Sequence, residues 1–170
     1  MVSTQTLHSV LRTFDFLNKG ARFLSAGRDL TRPAPNGRFS LWTESEFMAD
    51  YQFVKNSHED IKEHLKNQTG IKIDIPDSGG KGGTTTNGNA VRRIIHDHET
   101  RQIFLETVPE WVRGRFGELV DRMSIILRVI NYGEKLMDLQ AYKEFCDSSY
   151  RFVLTEFPEM LLSPTVHKVG

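Results

Sequence analysis

Between Ser78 and Asp97 the chain reads SGGKGGTTTNGNAVRRIIHD. Glycines, threonines and asparagines give way to a run of helical character with Arg92 and Arg93 side by side. Three kinds of chemistry suit such a stretch. A nucleotide phosphate loop needs GxxxxGK followed by serine or threonine, so that backbone amides wrap the phosphate and the lysine reaches it. Here Gly82 follows Lys81, and the pattern fails. The dinucleotide fingerprint fails too: counted from Gly80, Thr85 stands where the third glycine belongs, and no buried strand of a parallel sheet precedes it. A plain connector requires only this composition. The third chemistry is contact with a phosphate chain. Small residues let backbone come close. A helix start capped by Asn87 or Asn89 offers free amides and the positive end of a dipole, and Arg92 and Arg93 add charge that can reach a phosphate.

The remaining reactive side chains form no convincing set. His96 and His98 make an HxH pair, but on one helix they would point about 200° apart and could not share a metal. His58 and His64 face different directions, and His8 and His167 stand alone. The acids fall on the solvent side of amphipathic helices, as Glu59, Asp60 and Glu63 do, where they read as surface charge. The single cysteine, Cys146, leaves no internal disulfide and no cysteine-pair zinc site, and it fits a reducing compartment.

The elements that must carry these residues are mostly helical. Of the 170 residues, 38% are apolar and 26% charged, an ordinary soluble composition of a size that suits one domain over 1–170. Lys and Arg number 22 and Asp and Glu 22, so no global positive excess points to nucleic acid. Locally, Arg12, Lys19, Arg22, Arg28, Arg32 and Arg38 outweigh Asp15 and Asp29 in the first 40 residues. The N-terminal stretch has no uninterrupted apolar run of signal-peptide type, and nothing approaches the roughly 20 apolar residues of a membrane span.

Apolar spacing predicts a helix through Leu7, Val10, Leu11, Phe14, Leu17, Ala21 and Leu24, ending near Gly27. Residues 28–42 contain Pro33, Pro35 and Asn36-Gly37 and read as a loop. Thr43 and Glu46 form a capping box for a helix that Gly70 ends. Ile71, Ile73 and Ile75 alternate with polar residues, either as a short strand or as an extended segment. Short helices are predicted over 90–97 and 99–107, and a long one over 110–132 with Trp111, Val112, Phe116, Leu119, Val120, Met123, Ile126, Leu127 and Ile130 inside. A further helix over 139–157, capped by Asp138, buries Leu139, Tyr142, Phe145, Cys146, Phe152 and Val153. Ser163-Pro164 resembles the start of another, so the chain reads as a piece of a longer protein. The fold class expected is all-α: an irregular domain of about six helices with one Gly/Thr-rich loop.

Four blocks, TLHSVLRTFDF, IKIDIPDSGGKGGTTTNGNAVRRII, RMSIILRVINYG and LLSPTVHKV, resemble in content and order the Transib transposases and their relative, the catalytic subunit of the V(D)J recombinase. The middle block is the most specific, an extended segment and glycine-rich turn leading into G-N-x-x-R-R. In that family a helical insertion separates the second and third metal-binding carboxylates of a ribonuclease-H-like core. The resemblance implies that this chain corresponds to the insertion. It would then carry no catalytic carboxylate and no cofactor of its own, the zinc and divalent metals belonging to complete family members. His167 matches the first of two zinc-binding histidines, but the second and the cysteine pair are absent, so that site would be incomplete. The resemblance further implies DNA contact through Lys81, Thr84, Thr85, Asn87, Asn89, Arg92 and Arg93, with double-stranded DNA as partner, a second copy of the chain as the other candidate partner, no membrane, and a nuclear location. The rival expectation is a helical interaction or dimerisation module that does not touch DNA.

Overall fold

The computed structural model describes residues 4–27, 29–31, 44–73, 88–132 and 138–160, with side chains described over 9–27, 29–31, 56–73, 88–131 and 138–160. Val10, Phe14, Leu17, Ala21 and Leu24 recur at three- and four-residue steps, and they form the buried stripe of α1 (Thr4–Ser25). The helix stops where Gly27 takes φ 87°, a left-handed conformation that glycine adopts without a Cβ clash. Its N–H closes on the Leu24 carbonyl at 3.0 Å. Asp29 then accepts from the Thr31 N–H at 2.9 Å and the Thr31 hydroxyl at 2.6 Å, a local turn flanking the fully buried Leu30.

The second helix, α2 (Glu44–Thr69), ends in the same way, with Gly70 at φ 71° and its N–H on the Lys66 carbonyl. Glu59, Asp60 and Glu63 lie exposed along it, as expected of surface charge, while Ile61 and Leu65 are buried. The Thr69 hydroxyl donates to the Leu65 carbonyl and accepts from the Ile71 N–H, turning the chain out of the helix. Ile71 and Ile73 are buried and Lys72 between them is exposed. The alternation is therefore real over the described residues 71–73, but they belong to no strand.

Four helices follow: α3 (Gly88–His96), α4 (His98–Glu106), α5 (Glu110–Tyr132) and α6 (Leu139–Glu156). The architecture is all-α, with six helices and no strand among the described residues. α1 packs against α2, α3 and α5; α4 is seated against α2, α3 and α5; α6 packs on α5. A chain of rings runs through the centre, from Phe14 to Phe104 (6.1 Å between centroids), Phe116 (6.4 Å) and Phe157 (6.0 Å, edge to face). α1 comes close to this layer at Gly20, where a Cβ would stand 2.4 Å from Met160 Cε and 3.2 Å from the Phe116 ring.

Several expected core residues are not in it: Ile130, Tyr142, Phe145 and Cys146 are only half-buried, and two more are exposed. Trp111 is 55% exposed and Leu139 is 70% exposed. Val112, Phe116, Leu119, Val120 and Leu127 form the buried stripe of α5. Trp111 sits about 100° around the helix from Val112, beyond the edge of that stripe. Leu139 opens α6 on the side that also carries the exposed Tyr150 and Leu154, away from α5. The junction of α5 and α6 depends instead on Arg122. Its guanidinium lies 4.8 Å from the Phe152 ring centre and 5.8 Å from that of Phe145, and it bonds both Glu118 and the Ser148 hydroxyl.

Candidate nucleic-acid interface

The sequence of α3 divides cleanly between two faces. Ala90, Val91, Ile94 and Ile95 are buried. Asn89 and Arg93 are exposed, and Arg92 and His96 are half-buried. At about 3.6 residues per turn these four polar residues fall on one side, opposite the apolar four. Burying the isoleucines against α1, α4 and α5 therefore obliges the arginines to face outward. The helix begins at Gly88, so Asn89 lies in its first turn and does not cap it. The Asn89 side chain turns along the helix instead, where Oδ1 accepts from Arg92 Nη1 at 3.4 Å. Lys81, Thr84, Thr85, Asn87 and His167, also expected in the site, lie outside the described residues.

The helix ends on Asp97, which caps α4 rather than continuing α3. Its carboxylate accepts from the Thr100 N–H at 2.9 Å and the Thr100 hydroxyl at 2.6 Å. The Thr100 hydroxyl and N–H hold the Asp97 carboxyl below its ordinary range, and the charges of Arg93 and His98 act in the same direction against a smaller effect of burial. The cap also separates His96 and His98 onto two helices. The angle of about 200° expected for the pair on one helix therefore does not apply to them. Among the described residues no group of three or more His, Cys, Asp or Glu side chains could hold a metal ion.

Around His96 the positive charges gather. The Ser124 hydroxyl is 2.8 Å from Nδ1, and Arg128 Nε donates to the same nitrogen at 3.3 Å. An arginine N–H can only donate, so Nδ1 is the acceptor and the neutral ring keeps its proton on Nε2. Arg128 Nη2 also reaches the His96 carbonyl at 3.5 Å. Burial, with Arg128, Arg101 and Arg92 nearby, pushes the imidazole below its usual value and keeps it uncharged at neutral pH. Of the three guanidiniums, Arg101 is paired with Asp121. No carboxylate among the described residues forms an ion pair with Arg92, Arg93 or Arg128. Arg128 and His96 were not expected in the site. The spacing along α5 marks Arg128 only as off the apolar stripe, and its neighbours depend on how α3 crosses that helix.

The fold and this face define a helical chain that presents Arg92 and Arg93 on the outward side of a short amphipathic helix, with no carboxylate in ion-pair contact among the described residues. No protein family matches the chain, and no curated protein does. No helix among the described residues is long and apolar enough to cross a membrane.

Proposed function

We propose that the chain is a DNA-binding helical piece of a Transib-like transposase, corresponding to the insertion that separates the second and third catalytic carboxylates in that family. On this reading it holds the duplex and leaves cleavage to carboxylates and metals supplied elsewhere in a complete protein, in the nucleus. One observation carries the reading: Arg92 and Arg93 stand on the outward face of α3, directly after the Gly/Thr-rich segment, with no carboxylate paired to either among the described residues. Asn89 at the first turn, and Lys81, Thr84, Thr85 and Asn87 just before it, complete the contact set.

Such binding would be dominated by phosphate and therefore steep in salt. Fluorescence anisotropy with a labelled duplex, titrated across salt, tests it. Arg92→Ala/Arg93→Ala should weaken binding to unrelated sequences alike and flatten the slope of log K against log salt by about 2. A slope equal to that of the parent chain would remove both arginines from the interface.

A second reading has an observation of its own. Trp111 is exposed on α5, and Leu139, Tyr150 and Leu154 are exposed on α6, which suits a dimerisation module. Light scattering at two protein concentrations, with and without duplex, separates the two readings. DNA binding alone gives a constant mass until duplex is added, whereas dimerisation gives a mass that rises with protein concentration.

A further inference from the structure

We infer that the interface does not stop at α3: Arg128 of α5 binds a further phosphate of the same duplex, held in position by His96 and Ser124. The inference rests on the DNA reading above and extends it to a second helix.

Arg128 is exposed, and its described contacts are all neutral, namely His96 Nδ1 and the His96 carbonyl. Those two bonds use Nε and one of the Nη nitrogens on the protein side and leave the other N–H donors of the fork unengaged among the described residues. Arginines that stabilise a fold usually meet a carboxylate or a ring. Arg101 does so with Asp121, Arg115 with Glu156, and Arg122 with Glu118 and two phenylalanines, while Arg113 is engaged by the Val108 and Glu106 carbonyls at 3.1 and 3.4 Å. Arg128 meets a neutral imidazole instead. The single Nδ1 lone pair of that ring is shared between the Ser124 hydroxyl at 2.8 Å and Arg128 Nε at 3.3 Å, a contact that orients the fork without cancelling its charge. His96 and Arg92 share one side of α3, one turn apart, so Asn89, Arg92, His96 and Arg128 form a strip running from the start of α3 onto α5. A planar guanidinium with free donors at the end of such a strip suits a phosphodiester oxygen.

Arg128 could instead serve only to cap the last carbonyl of α3. A cap changes the melting temperature and leaves the electrostatics of binding alone. The test therefore measures both, on the whole chain, for Arg128→Ala, Arg128→Lys and Arg92→Ala/Arg93→Ala. For Arg128→Ala the expected result is a salt slope flatter by about 1 unit with a labelled duplex, restored in Arg128→Lys. A lowered melting temperature with an unchanged slope would make Arg128 a helix cap and overturn the inference. If Arg92→Ala/Arg93→Ala flattens the slope and Arg128→Ala does not, the DNA reading stands and the extension fails. If only Arg128→Ala does, the extension stands and the contacts assigned to α3 fail. A parent chain with no salt-dependent binding would sink both. Inorganic phosphate without DNA separates a lone anion site from a duplex contact. Saturation of the His96 ring resonances by micromolar phosphate would overturn the duplex assignment, and the expected result is no such saturation.

Discussion

Asp97 stands between the last residue of α3 and the first of α4, and both of the bonds its carboxylate accepts come from Thr100. Those bonds favour the ionised carboxylate, so its folded value lies below the ordinary aspartate value of about 3.9. For a group shifted downward the stabilisation is complete above the unfolded value and disappears as pH falls through the folded one. Asp97→Ala should therefore lower the melting temperature at neutral pH, and the gap from the parent chain should narrow below about pH 4. A gap that stays constant on acidification would show that the charge of the cap contributes nothing.

At the scale of elements, α1 comes close to the layer containing Phe116 and Met160. Gly20 permits it, since a Cβ there would meet Met160 Sδ at 2.9 Å as well as Cε. Gly20→Leu should overpack the contact and cost about 1–3 kcal/mol in chemical denaturation. Met160→Ala in the same chain should return part of the loss by removing the obstructing atoms. If the two changes simply add, the side chain of residue 20 does not enter that contact. The pattern of α1 was legible in its apolar steps, whereas this crossing was not, because a glycine in a helical run looks the same whether it faces a neighbouring helix or water.

For the whole molecule, the ring chain Phe14–Phe104–Phe116–Phe157 ties α1, α4, α5 and the residue that ends α6 into one core. Phe116 is fully buried between two of these rings. Phe116→Ala should cost about 3–5 kcal/mol and lower the stability of every helix together, read by circular dichroism and by ring fluorescence in one denaturant titration. Two separate transitions would mean that the helices are not held by a common core. α6 leans on α5 and leaves Leu139, Tyr150 and Leu154 outside. That arrangement explains why apolar residues alone overstated the buried side of this helix: periodicity locates a stripe, but one neighbouring helix covers only part of it.

Residue order by itself determined the helices and most of their ends. Apolar steps of three and four, glycines able to take positive φ at Gly27 and Gly70, and the carboxylate cap at Asp138 are all local, and local physics suffices to place them, whereas Asp97 read as the end of α3 and proved to cap α4. It also determined that Arg92 and Arg93 share the face of α3 opposite its isoleucines. Only the tertiary structure decided that Trp111 stays outside, that residues 71–73 form no strand, and that Arg128 comes to rest on His96. The angle at which one helix crosses another is set by side chains distant in the sequence, and no short stretch of chain contains that information.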